Sequence, residues 1–134
     1  MSKKKFKKEK KILVDMSATI IHHGHIRLLK KARKFGKIYV ALTSDEEIKK
    51  YKKVKPIFNY MRRKEVVSSL KYVSGVIKSN FFIDNKFLKK NKIDLLIHGS
   101  DNKNKVDKKY LKIFKRTKLI SSTILRKDLI KNLR

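Results

Sequence analysis

Five short apolar runs alternate with amphipathic stretches along this chain, and the alternation predicts its architecture. Lys11–Asp15 (KILVD), Ile38–Leu42 (IYVAL), Val76-Ile77, Asp94–His98 (DLLIH) and Leu111–Phe114 are apolar or β-branched, as strands covered on both faces are. Between them apolar residues recur at helical spacing. Ile26, Leu28, Leu29, Ala32 and Phe35 form one stripe after Gly24, with Gly36 as its C-terminal stop. Asp45–Tyr51 predicts a short helix capped by Ser44. Arg62–Tyr72 predicts another, with Val66, Val67, Leu70 and Val73 as its apolar stripe. Asp84 caps a further short helix over Asp84–Asn91, and Ser121 or Ser122 caps a last one reaching about Leu133. Lys52–Asn59, with the only proline, Pro56, reads as a loop. Strands that alternate with helices predict an α/β fold, a Rossmann-like doubly wound parallel sheet of about five strands. It is expected to form a single domain over residues 11–134, preceded by a basic flexible tail at residues 1–10 (MSKKKFKKEK).

Composition narrows the class. At 134 residues the chain suits one domain with a core of its own. It has no cysteine, which excludes a disulfide framework and a cysteine-ligated metal site. The apolar run Ile12–Val14 behind the basic N-terminus is too short for a secretory signal or a membrane span. A cytoplasmic protein is therefore expected. The net charge of +28 invites a nucleic-acid reading. However, 32 of the 39 basic residues are Lys, spread along the whole chain, whereas base-edge readout favours Arg. Nucleic acid is not the expected specific partner, although the lysines should attract polyanions such as nucleoside triphosphates at low salt.

The densest chemical signal is Ile20-Ile21-His22-His23-Gly24-His25, between the first predicted strand and the first helix. Ligands of open α/β sheets bind beyond the carboxyl ends of the strands, where this segment falls. Gly24 admits a close backbone approach, and the helix start offers free N–H groups to an anion. His22 and His25 can face one phosphate from one turn. A phosphate would favour their protonated forms, which donate charge-assisted hydrogen bonds. A surface or capping role is the plain alternative. A zinc site would need further ligands, and the one remaining histidine is His98, with no acidic cluster at ligand spacing; no metal ligand is assigned.

Three separated blocks carry a family resemblance: His22-x-Gly24-His25; Arg63 with Lys71-Tyr72-Val73 and Val76-Ile77; and Arg116-Thr117-Lys118-Leu119-Ile120-Ser121-Ser122-Thr123. Together, from about Ile12 to Leu133, the chain resembles the cytidylyltransferases of the HxGH nucleotidyltransferase superfamily. These include the glycerol-3-phosphate, ethanolamine-phosphate and choline-phosphate enzymes. It is also similar to the nucleotidyltransferase domain that makes ADP-heptose.

The resemblance implies CMP transfer from CTP to a small phosphorylated acceptor, with Mg2+ accompanying the nucleotide and a homodimer as the assembly. It implies that His22 and His25 stabilise the transition state. A lysine of the loop, with Lys52, Lys53 and Lys55 as candidates, would hold phosphates together with Arg116. Ser17, Ala18, Gly24, Arg63, Gly99, Thr117, Ser121, Ser122 and Thr123 would complete the nucleotide site. Thr19 and Ser74 fall where the family carries acceptor-side aspartates, Met16-Ser17-Ala18-Thr19 replaces Gly-Thr-Phe-Asp, and Leu119 replaces a glycine. These departures imply a different acceptor. An ADP-forming enzyme of the same fold, or a non-catalytic nucleotide or nucleic-acid binder, is the alternative.

Overall fold

The computed structural model describes residues 9–99, 103–114 and 122–132. Five strands, β1 (Lys11–Met16), β2 (Lys37–Thr43), β3 (Val73–Ser79), β4 (Leu95–Gly99) and β5 (Leu111–Phe114), alternate with helices. The helices are α1 (His23–Arg33), α2 (Asp45–Lys52), α3 (Tyr60–Ser68), α4 (Asn85–Lys90) and α5 (Ser122–Asn132). Every pairing is parallel and the strand order is β3-β2-β1-β4-β5. The expected doubly wound sheet is the one observed. Its order reverses between β1 and β4, so the crevice at the carboxyl ends of these two strands is the topological switch point.

The strands lack apolar–polar alternation because both faces of the sheet are covered. Ile12, Val14, Ile38, Val40, Leu42 and Ile97 point to one face, where Leu29 and Ala32 of α1 and Val67 of α3 close over them. Leu13, Ala41 and Leu96 point to the other and meet Ile83, Leu88 and Ile93 around α4. The helices α1 and α3 thus share a face, and both begin at its carboxyl edge.

Three local expectations shift. The helix expected over Arg62–Tyr72 is α3, which starts at Tyr60 under an Asn59 cap and ends at Ser68. Of its expected stripe, Val67 is buried, Val66 is 48 % exposed, and Val73 already belongs to β3. The strand expected at Val76-Ile77 runs over Val73–Ser79. Ser74, Gly75 and Lys78 hid its length, because β3 is a half-solvated edge strand. Finally, the tail does not extend to residue 10: the Lys10 carbonyl accepts from Lys37 N at 2.9 Å. There Gly36 is required by close approach, since a Cβ at this position would lie 2.2 Å from the Lys10 carbonyl oxygen. Gly36→Ala is expected to lower stability by more than ~1 kcal/mol in urea unfolding, because backbone on both sides must move. An unchanged midpoint would show that the α1–β2 corner can give.

Candidate active site

The segment between β1 and α1 forms the centre of the carboxyl edge. His22 is the N-cap of α1, in extended conformation, and its Nδ1 accepts from Gly24 N at 3.0 Å. His25, in the first turn, returns the bond: its Nδ1 accepts from His22 N at 3.2 Å. The two rings lie side by side, with centroids 4.1 Å apart. An imidazole nitrogen that accepts a hydrogen bond carries no proton, so each of these rings holds its proton on Nε2. The capping bonds therefore use Nδ1 of both rings and neither Nε2. Where the sequence suggested imidazolium donors, this geometry provides neutral rings that donate through Nε2–H.

The loop that delivers His22 is held from beneath. Ala18 is buried at φ 51, a left-handed conformation that costs a non-glycine residue roughly 1–2 kcal/mol. Ser17 gives its carbonyl to Arg63 Nη1 at 2.7 Å. Thr19 is 3 % exposed, and its Oγ1 is buried without a hydrogen-bond partner. Arg63 itself is 2 % exposed. Its Nη1 also donates to the Thr43 carbonyl at 2.9 Å, its Nε to the Phe58 carbonyl at 3.1 Å, and its Nη2 to Asp45 Oδ1 at 2.7 Å. The resemblance implied a nucleotide contact for Arg63. The structure builds this guanidinium into the protein, tying the β1–α1 loop, the end of β2 and the start of α2 to α3.

Asp45 takes the charge of that guanidinium and also accepts from Tyr60 N at 3.1 Å. Burial works against its charged form. The Arg63 hydrogen bond, the Tyr60 N–H and the charges of Arg63 and Lys49 outweigh it, so the carboxyl titrates below its ordinary value of 3.8. A lowered folded value means that the contribution to stability is present above the ordinary carboxylate range and is lost as pH falls through the folded value. Asp45→Asn is expected to flatten the acid limb of stability against pH, measured by thermal melts from pH 7 downward. An acid limb identical to that of the parent would assign it to other carboxylates.

Other expected site residues are divided by the structure. Gly24 lies within the His22 cap, and Gly99 ends β4 at the same edge as His22. Lys52 closes α2, half-buried. Lys53 is the left-handed C-cap that follows, at φ 59. Lys55 is exposed and lines a cavity of about 220 Å³ with Asp45, Lys49, Pro56, Ile57, Asn59 and Arg62. Ser74 does not join them: it is the extra residue of a bulge at the amino end of β3, with Val73 paired to Ile38 and Gly75 to Tyr39. The edge that gathers the site is the opposite one, so Ser74 is not an acceptor-side residue of its own chain's site. Arg116, Thr117 and Ser121 lie outside the described residues. Helix α5 starts at Ser122 and includes Thr123.

Sequence reasoning missed a polar cluster at the switch point. Asp15 near the end of β1 pairs with His98 Nδ1 of β4, both largely buried, and its other oxygen accepts from Asn104 Nδ2 at 3.0 Å. The one available signal was a polar residue at the carboxyl end of each of these two predicted strands, Asp15 and His98. Among the described residues, no group of three or more His, Asp or Glu could hold a metal ion, and no helix is long and apolar enough to cross a membrane.

A doubly wound parallel sheet whose switch point faces a histidine-capped helix start defines a nucleotide-binding α/β domain, and comparisons with known proteins make the class specific. The cytidylyltransferase-like family model matches residues 17–131. The glycerol-3-phosphate cytidylyltransferase of Staphylococcus aureus (strain NCTC 8325 / PS 47) is 28 % identical over 127 residues, covering 90 % of this chain and 95 % of that one. The enzyme of the same name from Bacillus spizizenii is 30 % identical over 125 residues, covering 90 % and 97 %. The crystal structure of the lipopolysaccharide core biosynthesis protein from Thermoplasma volcanium GSS1 superposes with a TM-score of 0.64 at 22 % identity, over 93 % of this chain and 89 % of that one. The chain belongs to the cytidylyltransferase-like family and is a nucleotidyltransferase.

Proposed function

We propose that this protein transfers CMP from CTP to the phosphate of a small polyol or alcohol phosphate, releasing pyrophosphate. The observation that carries the reading is the reciprocal His22–His25 cap at the switch point. It sets two imidazole rings, their centroids 4.1 Å apart, beside a helix start with its partial positive charge. Two relatives named glycerol-3-phosphate cytidylyltransferase, matched over nearly their whole length, support cytidine and a polyol phosphate.

In the reaction an acceptor phosphate oxygen attacks the α-phosphorus of CTP. A new P–O–P link forms, the bond from the α-phosphorus to the bridging oxygen breaks, and pyrophosphate leaves with its electron pair. The protein's part is positioning and electrostatic stabilisation. His22 and His25 donate to the α-phosphate oxygens as charge gathers there. Gly24 and the backbone of Ser17 and Ala18 let the nucleotide lie close to the loop. Gly99 walls the nucleoside. Lys52 or Lys55, Arg116, Thr117 and the α5 start at Ser121, Ser122 and Thr123 hold the leaving pyrophosphate. Thr19, 3 % exposed with its hydroxyl buried, offers the acceptor no side-chain contact. Magnesium enters as the triphosphate's own partner, as substrate; the nearby carboxylates Asp15 and Asp45 are committed to His98 with Asn104 and to Arg63.

We further propose that the enzyme works in the cytoplasm as a homodimer, for which light scattering at micromolar concentration should give twice the chain mass. A monomer alone would reject that assembly. Pyrophosphate release, measured with each of the four nucleoside triphosphates across a panel of phosphorylated alcohols and sugars, tests the reaction itself. CTP should exceed ATP. A preference for ATP would make the product ADP-linked, and no release with any pair would sink the enzyme reading.

A further inference from the structure

Asp15 of β1 and His98 of β4 form a largely buried polar pair that takes no part in the chemistry proposed above. They stand one step beyond the paired Val14 and Ile97, at the carboxyl ends of adjacent strands where the sheet order reverses. Strand alternation puts them on the face of Leu13 and Leu96, the face that α4 covers. Two residues earlier that face is filled by leucine. A well-packed apolar pair is commonly as stable as a buried ion pair, or more so. Stability therefore does not account for an acid and an imidazole at these two positions.

The hydrogen bonds around Asp15 run in one direction, and a backbone amide fixes it. Ile83 N donates to Asn104 Oδ1 at 2.6 Å. The Asn104 amide must then turn its NH2 group to Asp15, whose Oδ2 accepts from Nδ2 at 3.0 Å. Asp15 Oδ1 meets His98 Nδ1. An ionised Asp15 accepts at both oxygens, so His98 holds a proton on Nδ1. In the neutral ring Nε2 then carries the lone pair. This is the reverse of His22 and His25, whose Nδ1 atoms accept. The His98 side chain is 19 % exposed and that of Asp15 8 %, so the carboxylate is the deeper partner and the imidazole the one nearer solvent.

Ligands of open α/β sheets sit outside the strand ends at the switch point. Here the switch point is flanked by the histidine-capped start of α1 on one face of the sheet and by His98 on the other. Donors such as His22 and His25 suit phosphate oxygens. An imidazole that accepts suits the opposite kind of group, an O–H or N–H. A triphosphate has none to offer, whereas a nucleoside has ribose hydroxyls and, in cytidine, an exocyclic amine. His98 also immediately precedes Gly99, the proposed nucleoside wall at the end of β4. We infer that His98 accepts a hydrogen bond from the nucleoside of the bound nucleotide, and that Asp15 and Asn104 are positioning residues that keep its proton on Nδ1. This deepens the proposed transferase reading and rests on it for the identity of the ligand.

The tautomer can be read in the full chain without any ligand. Nitrogen NMR of the protein labelled with 15N-histidine, recorded above the ordinary imidazole titration range, should show His98 with its proton on Nδ1 and His22 and His25 with theirs on Nε2. His98→Gln assigns the His98 signal. In Asp15→Asn the new amide can accept from Asn104 and donate to His98 Nδ1, so the His98 proton should move to Nε2 while His22 and His25 stay as they are. A His98 proton on Nε2 in the parent would overturn the inference.

Isothermal titration then tests the contact, with MgCTP, MgUTP, which lacks the amine, and the 2′-deoxy and 3′-deoxy forms of MgCTP. The parent should bind CTP about tenfold tighter than the analogue that lacks the donating group. Asp15→Asn should bind those two alike, which a general loosening of the fold would not produce. The analogue concerned tells amine from hydroxyl. If Asp15→Asn does not fold, His98→Gln is held to the same criterion. An equal loss for all four nucleotides would reduce the pair to a structural brace and overturn the inference. So would unchanged nucleotide binding with a raised acceptor KM, which would give His98 to the acceptor's hydroxyls. Discrimination that Asp15→Asn abolishes, in a protein that releases no pyrophosphate, would sustain the nucleoside contact while rejecting the transferase reading.

Discussion

Replacing His25 by alanine is expected to lower kcat about 10²–10³-fold while CTP affinity changes little, because a donor aimed at developing charge acts in the transition state more than in the ground state. That loss corresponds to roughly 3–4 kcal/mol. His25 also caps the helix, accepting from His22 N at 3.2 Å, so the alanine variant loosens the start of α1 as well. His25→Asn separates the two roles: a short amide can still accept at an N-terminal turn, but its donor does not extend to where Nε2–H ends. The asparagine variant should keep the parent's melting temperature and still lose most of the rate. Lys89→Ala, on α4 at the far side of the sheet, should leave the rate unchanged. A His25→Asn enzyme with parental kcat would reduce the histidines to a helix cap.

Arg63→Ala is expected to cost about 3–5 kcal/mol in urea unfolding, the range for breaking a buried ion pair by removing one partner. The substitution strips hydrogen bonds from the Ser17, Thr43 and Phe58 carbonyls and leaves Asp45 without its counter-charge. Arg63→Lys should recover part of the loss, because an ammonium keeps the charge but lacks the planar fork that serves four acceptors at once. A functional consequence follows from the Ser17 contact. With Ser17 released, the strained loop through Ala18 is no longer held under His22, and the lysine variant should lose activity beyond what its stability loss explains. A cost under ~1 kcal/mol for Arg63→Ala would mean that the site does not depend on this brace.

The features legible in the sequence were those written in neighbouring residues. The apolar runs at Ile12–Val14 and Ile38–Leu42 could only be covered strands, and all their residues but the half-buried Tyr39 are fully buried. Ser44 and Asp84 could be read as caps because an N-cap needs only a short polar side chain at the right step; they accept from Glu47 N and Phe87 N. What escaped depends on contacts distant along the chain. Arg63 reads locally as a charge on a helix, and its burial is fixed by a carbonyl 46 residues away. Asp15 and His98 are 83 residues apart and become partners only when β4 pairs beside β1. Ser74 was misplaced for the same reason, since similarity along a strand says nothing about which edge of the sheet a residue occupies. The histidine cap was half legible: spacing showed that His22 and His25 share a turn, but only the backbone bonds to their Nδ1 atoms fix the tautomer.

The central claim is that the α-phosphate of CTP leaves its pyrophosphate and joins the acceptor's phosphate. Phosphorus NMR of the reaction mixture, with MgCTP and a phosphorylated acceptor, follows this transfer directly. The account predicts pyrophosphate and a new, asymmetric diphosphate whose two phosphorus atoms couple to each other, formed in equal amounts and slowed in step by His25→Ala. Free CMP with pyrophosphate and no coupled pair, or spectra that remain those of the starting CTP and acceptor, would contradict it.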